Sequence, residues 1–158
     1  MDPSFDAMKL YTAWTELEPG SRAKMKRATK PEELLDIPEF YLLVAPFGWP
    51  EQRYALQRMV FCLTSGAIQN SEDETLSLGR ALGYNGKISQ QRVMQLIRQE
   101  FPSDMIQLRR LLIQAEPVNV HWPLLAKQLE WWGKYDRRSL LENYVISSFK
   151  KQTRKDTR

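Results

Sequence analysis

Apolar residues recur at helical spacing along most of the chain, and the stretch over residues 105–115 shows the pattern clearly. At about 100° per residue, one face of this stretch is apolar throughout, and it consists of Met105, Leu108, Leu111, Leu112 and Ala115. The spacing predicts an amphipathic helix that packs this face against a core.

Two adjacent arginines interrupt the apolar run of this helix. Arg109 lies on the flank of the apolar face and Arg110 nearly opposite to it, so both are expected to project away from the core. A solvated helix face accounts for them, and so does a contact surface for something anionic. The stretch alone leaves both interpretations open.

The other segments also have helical spacing, and prolines, glycines and polar residues separate them. Pro3 and Ser4 are expected to open the first helix, which Pro19 and Gly20 end. Later helices have expected N-caps at Ser21, Ser89, Ser103 and Asp136. No period-2 strand pattern and no internal repeat is visible. The sequence therefore predicts an all-α protein.

One polar and acidic stretch, AIQNSEDET at residues 67–75, has no periodicity and is the best candidate for a mobile linker. This predicted linker divides the chain into two small helical bundles. The N-terminal helical domain covers residues 1–66 and the C-terminal bundle covers residues 77–150. Residues 151–158 are expected to form a basic disordered tail.

The formal net charge of +4 over 158 residues is unevenly distributed. Residues 1–77 carry 8 Lys and Arg against 12 Asp and Glu, giving −4, whereas residues 78–158 carry 15 against 7, giving +8. One local cluster, SRAKMKRATK at residues 21–30, holds five basic residues and no acid. A helix there has one strongly basic face, which fits a solvated surface and polyanion binding equally well.

Residues with catalytic or metal-binding chemistry are scarce. His121 is the only histidine and Cys62 the only cysteine, which argues against a zinc site, a disulfide framework or a nucleophilic triad. His121 precedes Trp122 and Pro123, where a helix-entry role is expected, and Cys62 lies in the apolar MVFCL, where a buried thiol is expected. No glycine-rich phosphate loop is present. The sequence predicts a protein that is not an enzyme and uses no metal or cofactor.

Two further features bear on location and on base stacking. No apolar run approaches the roughly 18 residues that span a bilayer, and the first ten residues lack a signal-peptide pattern, so a soluble, intracellular protein is expected. Trp132 shares a helix face with leucines and is expected in the core. Trp131 fits either the core or a stacking platform for a base, and its spacing with Leu124 favours the core.

Eight motifs, in order, cover residues 7 to about 146. They are AMKLYTAW, PEELLDIPEFYLLVAPFGW, RMVFCL, SLGRALG, QLIR, DMIQLRRLLIQAEP, WPLLAKQLEWWGK and RRSLLENYV. Together they make the chain resemble the CasB family, the small subunit of the type I-E CRISPR surveillance complex called Cascade.

The resemblance implies an all-helical, two-domain, non-catalytic protein of the bacterial cytoplasm that acts in antiviral defence. The partners it implies are the large subunit, the backbone subunits, a second copy of the chain, guide RNA, and target DNA with its displaced strand. No membrane partner is implied. In this family the small subunits are expected to stabilise the R-loop by holding target and displaced strands.

The resemblance also favours phosphate contact over stray charge for the paired arginines. It implies nine candidate nucleic-acid-binding residues: Lys26, Arg27, Arg53, Arg80, Arg98, Arg109, Arg110, Lys134 and Arg137. An alternative stays open at this point, in which the protein is a helical assembly module and these residues make only protein contacts.

Overall fold

Nine α-helices form most of the computed structural model, which describes residues 5–156. They are α1 (Ala7–Glu16), α2 (Pro19–Lys26), α3 (Pro38–Val44), α4 (Arg53–Leu63), α5 (Leu78–Asn85), α6 (Gln90–Ile97), α7 (Ser103–Gln114), α8 (Trp122–Trp131) and α9 (Lys134–Asp156). Two short 3-10 helices, Pro31–Asp36 and Ala45–Phe47, flank α3. The predicted helical class is confirmed.

Two strands of three residues each add to the helices in the described part of the chain. β1 (Ile68–Asn70) pairs in parallel with β2 (Val118–Val120), with Ile68 opposite Val118. The sequence reading missed them because three residues are too short to show an alternating pattern. β1 lies inside the predicted polar linker, so part of that stretch is regular structure.

Side chains also tie this stretch to the helices. The backbone N–H of Asn70 donates to the Tyr11 hydroxyl at 3.1 Å, and the Asn70 side-chain oxygen accepts from the backbone N–H of Trp122 at 2.8 Å. The ring nitrogen Nδ1 of His121 lies 2.7 Å from the carbonyl oxygen of Ser71. Residues 68–71 are therefore held between α1 and α8, and the mobile linker expected over residues 67–75 is not confirmed.

One hydrophobic cluster joins buried residues from Phe5 to Tyr144. The apolar face predicted for α7 is confirmed, because Met105, Leu108, Leu111, Leu112 and Ala115 are all buried. The division into an N-terminal domain and a C-terminal bundle stays a prediction.

Helix ends follow the local sequence, with some corrections. Asp6 caps α1 by accepting from the backbone N–H groups of Met8 and Lys9 at 2.9 and 3.1 Å, and the expected opening at Pro3 and Ser4 lies outside the described residues. Ser21 lies inside α2, since proline suits the first turn of a helix and Pro19 begins it.

The other expected N-caps also differ in whether the structure confirms them. Ser89 caps α6 as expected, whereas Ser103 is the first residue of α7 and makes no cap hydrogen bond. Asp136 lies in the first turn of α9, where its Oδ2 accepts from the backbone N–H of Gly133 at 3.0 Å.

The last helix runs further than expected. α9 continues to Asp156, so residues 151–156, expected in a disordered tail, continue that helix, and residues 157–158 lie outside the described part. Lys151 Nζ donates to the carbonyl oxygen of Tyr84 at 2.6 Å, which fixes this end of α9 against the end of α5. Among the described residues, no helix combines the length and apolar character needed to span a membrane.

Candidate nucleic-acid interface

The nine candidate cations separate into those without a partner inside the fold and those whose side chains already contact other residues. Five are exposed and have no side-chain hydrogen bond or ion pair within the described part of the chain: Lys26, Arg27, Arg98, Arg110 and Lys134. Because nothing in the fold occupies them, their donors are available to an external anion.

Helix position explains some of these five but not all. Lys26 and Arg27 end α2, and Arg98 caps the end of α6. Cations at a helix C-terminus are stabilised by the helix dipole, so structure alone accounts for them. Arg110 lies in the middle of α7 and Lys134 at the N-terminal end of α9, where the dipole gives a cation no advantage.

Arg53 is intermediate between the two groups. It is the exposed first residue of α4, and its Nε donates to the carbonyl oxygen of Pro50 at 3.2 Å. A guanidinium has five N–H donors, so this single local bond leaves most of them facing solvent.

Arg109 does not project outward, which corrects the sequence-based expectation. Its guanidinium carbon lies 4.1 Å from the centroid of the Phe61 ring, and its Nη1 donates to the Thr64 hydroxyl at 3.0 Å. Burial lowers the pKa of the guanidinium. Arg109 lies on the flank of the apolar face of α7, and α4 packs against that face. The arginine side chain therefore reaches Phe61 and Thr64.

Lys26 and Arg109 approach residues that directly follow α4. A Cβ placed on Gly66 would lie 3.5 Å from Lys26 Nζ, and Thr64, two residues earlier, accepts from Arg109. The carbonyl end of a helix attracts cations. We call Lys26, Thr64, Gly66 and Arg109 the α4 corner. It brings together two candidates that are far apart in sequence.

Arg137 is committed to an internal ion pair. Its Nη2 lies 3.1 Å from Oδ2 of Asp104, which is buried at 2 % exposure. Burial raises the pKa of the Asp104 carboxyl, while the positive charges of Arg137 and Arg58 oppose that shift. Arg137 therefore stabilises a buried carboxylate at the start of α7 and is not a free surface cation.

Arg80 is also held from within. Its Nη1 donates to the carbonyl oxygen of Thr75 at 2.9 Å, and its guanidinium carbon lies 5.9 Å from the centroid of the Tyr84 ring. The side chain is half-buried. The guanidinium of Arg80 has further N–H donors available to a ligand. A ligand bound to them would also lie near the Tyr84 ring.

Sequence reasoning gave no role to Arg58, which is structural. Its Nε donates to the carbonyl oxygen of Leu129 at 2.6 Å, and its Nη2 donates to that of Glu130. These carbonyls lie in the last turn of α8, so Arg58 joins α4 to the end of α8. The available signal was its position beside the buried run Met59–Leu63 of α4.

Two of the aromatic and thiol expectations are confirmed and one is wrong. Trp132 is buried at 3 % exposure, as expected, whereas Trp131, favoured as core, is 77 % exposed. Trp132 follows the last residue of α8 and adopts a left-handed conformation (φ 48°). Cys62 is a buried thiol, and burial raises its pKa to about 12, which disfavours the thiolate form.

Residues with metal-binding chemistry do not converge. Within residues 5–156, no group of three or more His, Cys, Asp or Glu is placed to hold a metal ion. His121 is the residue before α8, as expected of a helix-entry residue.

The fold and these surfaces define a mainly helical protein that carries unpaired cations on several of its helices. Residues 21–147 match the family model of CRISPR-associated protein Cse2. The chain is 50% identical to the CRISPR system Cascade subunit CasB of Escherichia coli strain K12, over 95% of this chain and 99% of that protein. The chain belongs to the Cse2 family.

A solved structure has the same fold. A chain in the crystal structure of E. coli Cascade bound to a PAM-containing dsDNA target, at 3.20 Å resolution, is 51% identical and superposes with a TM-score of 0.89. The match covers 92% of this chain and 98% of that one. The similarity therefore extends over nearly the whole length of both chains.

Proposed function

We propose that this chain is a non-catalytic small subunit of a type I-E Cascade complex and stabilises the R-loop through contacts to DNA backbone phosphates. The near-complete match to a Cascade subunit supports the subunit role, and so does the match to a chain of a DNA-bound Cascade structure. The proposed partners are the large and backbone subunits, a second copy of the chain, guide RNA, and target DNA with its displaced strand. The proposed location is the bacterial cytoplasm.

The phosphate-contact mechanism rests on one observation, the set of five exposed cations without an internal partner. Arg110 carries the argument best, because the helix dipole does not account for a cation in the middle of α7 and its planar guanidinium matches two phosphate oxygens at once. Such contacts position a strand but carry no base information. That suits a subunit whose targets differ with every guide.

Modest contacts are sufficient for this role. R-loop formation exchanges a DNA duplex for an RNA–DNA duplex of about the same stability, so protein contacts to the backbone tip the balance. The proposal assigns the leading contacts to Arg27 and Arg110, and adds Arg53 because its single bond to Pro50 leaves most of its donors facing solvent. Arg109 and Arg137 are assigned an internal role first, because the fold already uses their donors.

A second function, that of a helical assembly module, is favoured by a specific observation at the corner between α8 and α9. Trp131 and Tyr135 are 77 % and 82 % exposed, and they flank Lys134 in sequence. Aromatic side chains are enriched in protein interfaces, whose rims are polar. We propose that Trp131 and Tyr135 contact other subunits at this corner, with Lys134 at the rim of the contact.

A salt titration of complex–target affinity tests the phosphate contacts. On a single strand, log affinity falls against log salt by about 0.7 per phosphate contacted. Arg27→Ala, Arg53→Ala and Arg110→Ala, each in the assembled complex, are expected to weaken binding and make the slope shallower by about one contact. Lys9→Ala is the matched control, an exposed cation of α1 outside the candidate set. An unchanged slope in all three variants would leave these arginines as assembly residues.

A further inference from the structure

A small cavity lies between α5 and β2. Its volume is about 260 Å³, slightly below the roughly 300–1,000 Å³ of sites for drug-sized ligands, so it suits one ring system. We call it the α5 slot. Its lining residues are Leu76, Ala81, Tyr84, Asn85, Pro117 and Asn119.

Cations from three segments lie at Tyr84 or beside other lining residues of this slot. Arg80 lies over its ring at 5.9 Å, and Lys151 donates to its carbonyl oxygen at 2.6 Å. Lys87 Nζ donates to the carbonyl oxygen of Glu116 at 2.6 Å, next to the lining residue Pro117. The pKa of the Tyr84 hydroxyl is lowered mainly by a hydrogen bond from Arg80 and by its charge, then by a hydrogen bond with Ser147, and least by the charge of the exposed Lys150.

Nearby acids offset only part of this positive charge. The Asp73 carboxylate interacts with Arg80 and stays ionised, because hydrogen bonds from the hydroxyl and the backbone N–H of Thr75, at 2.6 and 2.9 Å, lower its pKa. Glu116 meets Lys87 through its backbone carbonyl, and its side chain is exposed. Four cations against these two carboxylates leave the rim with a net positive charge.

The slot's polar lining offers one uncommitted amide. Asn85 donates to the carbonyl oxygen of Ala115 at 3.2 Å and accepts from the backbone N–H of Lys87 at 2.9 Å, so its amide is occupied at both ends. Asn119 is exposed and has no side-chain hydrogen bond among the described residues. One amide offers both a donor and an acceptor, which is enough to accept different bases without selecting one.

We propose that the α5 slot binds one nucleotide of single-stranded nucleic acid, with its base against Tyr84 and its phosphate at Arg80. This rests on the proposed function, since it names a further site for the strands that the complex handles. A cationic rim combined with an aromatic ring is the arrangement that single-strand sites use, because every base has a face that can stack. The lysines near the end of α9 add long-range attraction for the strand.

The test compares two probes, oligothymidine and an abasic deoxyribose-phosphate oligomer of the same length, binding to the isolated full chain by fluorescence anisotropy. Wild type is expected to prefer oligothymidine by roughly fivefold to 150-fold, the range given by one stacked base. Tyr84→Ala is expected to lose that preference and Tyr84→Phe to keep it. Arg80→Gln is expected to weaken binding of both probes.

Controls assign the preference to the slot. Tyr135→Ala removes a tyrosine that lies beside a cation outside the slot, and it is expected to leave the preference unchanged. Tyr84 lies outside the buried core cluster, so Tyr84→Ala is expected to fold, and circular dichroism checks this. An oligoglutamate probe that binds as tightly as oligothymidine and depends on Tyr84 would reassign the slot to an acidic protein segment.

Three results would overturn the proposal: equal binding of both probes by wild type, a preference that survives Tyr84→Ala, or no binding of either probe. None of these touches the proposed function, which is tested separately by the salt slope of the assembled complex. Conversely, unchanged slopes of log affinity against log salt in the assembled complex would contradict the proposed phosphate contacts, even if the slot binds a base.

Discussion

At the scale of single residues, neighbouring arginines of one motif have different environments. Arg109 stacks on Phe61 and donates to Thr64, whereas Arg110, one position later, is exposed. The sequence placed both outside the apolar face of α7 and could go no further, because the contact of Arg109 depends on how α4 packs against α7. Helical spacing gives a direction around one helix axis and says nothing about the neighbour in that direction.

This difference leads to a stability prediction. Arg109→Ala is expected to lower the free energy of unfolding by about 2 kcal/mol, because it removes a half-buried cation–ring contact and a hydrogen bond to Thr64. Arg110→Ala is expected to change it by less than about 0.5 kcal/mol. Urea unfolding followed by circular dichroism measures both, with Arg109→Lys retaining the charge but not the planar stack. Equal stability of the two alanine variants would contradict the packing role of Arg109.

The ion pair between Asp104 and Arg137 makes stability depend on pH. Burial raises the pKa of Asp104, so the folded state keeps a proton at pH values where the unfolded state has lost it. By linkage, the contribution of Asp104 to stability then falls as pH rises through its folded pKa. Arg137 opposes the shift at 3.1 Å and so limits the loss.

Removing Arg137 is therefore expected to cost most at neutral pH. Arg137→Ala leaves a buried, charged carboxylate without its partner, which costs about 3–5 kcal/mol. The penalty is expected to shrink as pH falls towards the range where Asp104 takes up a proton. Thermal unfolding at several pH values measures it, and Arg138→Ala, an exposed neighbour, is the control. A penalty that does not change with pH would rule out Asp104 as its source.

At the scale of elements, the closest packing is between α5 and α9. A Cβ on Gly79 would lie 2.5 Å from the carbonyl oxygen of Leu140, and one on Gly83 would lie 2.7 Å from that of Tyr144. The two glycines are four residues apart and form one side of α5, so the backbones of the two helices approach directly. Helical spacing does not reveal this contact, because one sequence does not show that a partner helix lies so close to Gly79 and Gly83.

Gly79→Ala and Gly83→Ala are expected to destabilise the protein, each by about 1–3 kcal/mol, because the added methyl group overpacks the contact. Gly20→Ala is the matched control, since nothing lies within 4 Å of its Cβ position in α2. In that open helical site alanine is expected to stabilise by about 0.5–1 kcal/mol. Urea unfolding measures all three variants. A neutral Gly79→Ala would mean that α5 and α9 separate without cost.

At the scale of the whole molecule, the sequence predicted features that depend on local residue spacing better than contacts between residues far apart in the chain. Helical class, the buried face of α7 and the buried Cys62 all follow from local apolar spacing. The pairing of β1 with β2 and the α4 corner join residues that are tens of positions apart, and no local pattern encodes them. The same limit applied to the candidate site, where residue type and motif selected nine cations but the fold decided which of them already have partners.

Phosphate contacts also determine how binding by the whole complex depends on target sequence. If Arg27, Arg53 and Arg110 contact phosphate, their removal is expected to weaken binding similarly for targets of unrelated sequence, because a phosphate contact carries no base information. Guide pairing continues to choose the target, so the rank order of mismatched targets is expected to stay the same in each variant. The measurement is affinity of wild-type and variant complexes on two unrelated guide–target pairs and their mismatch series. A loss confined to one target sequence would point to base readout, and a reordered mismatch series would show that these arginines take part in target choice.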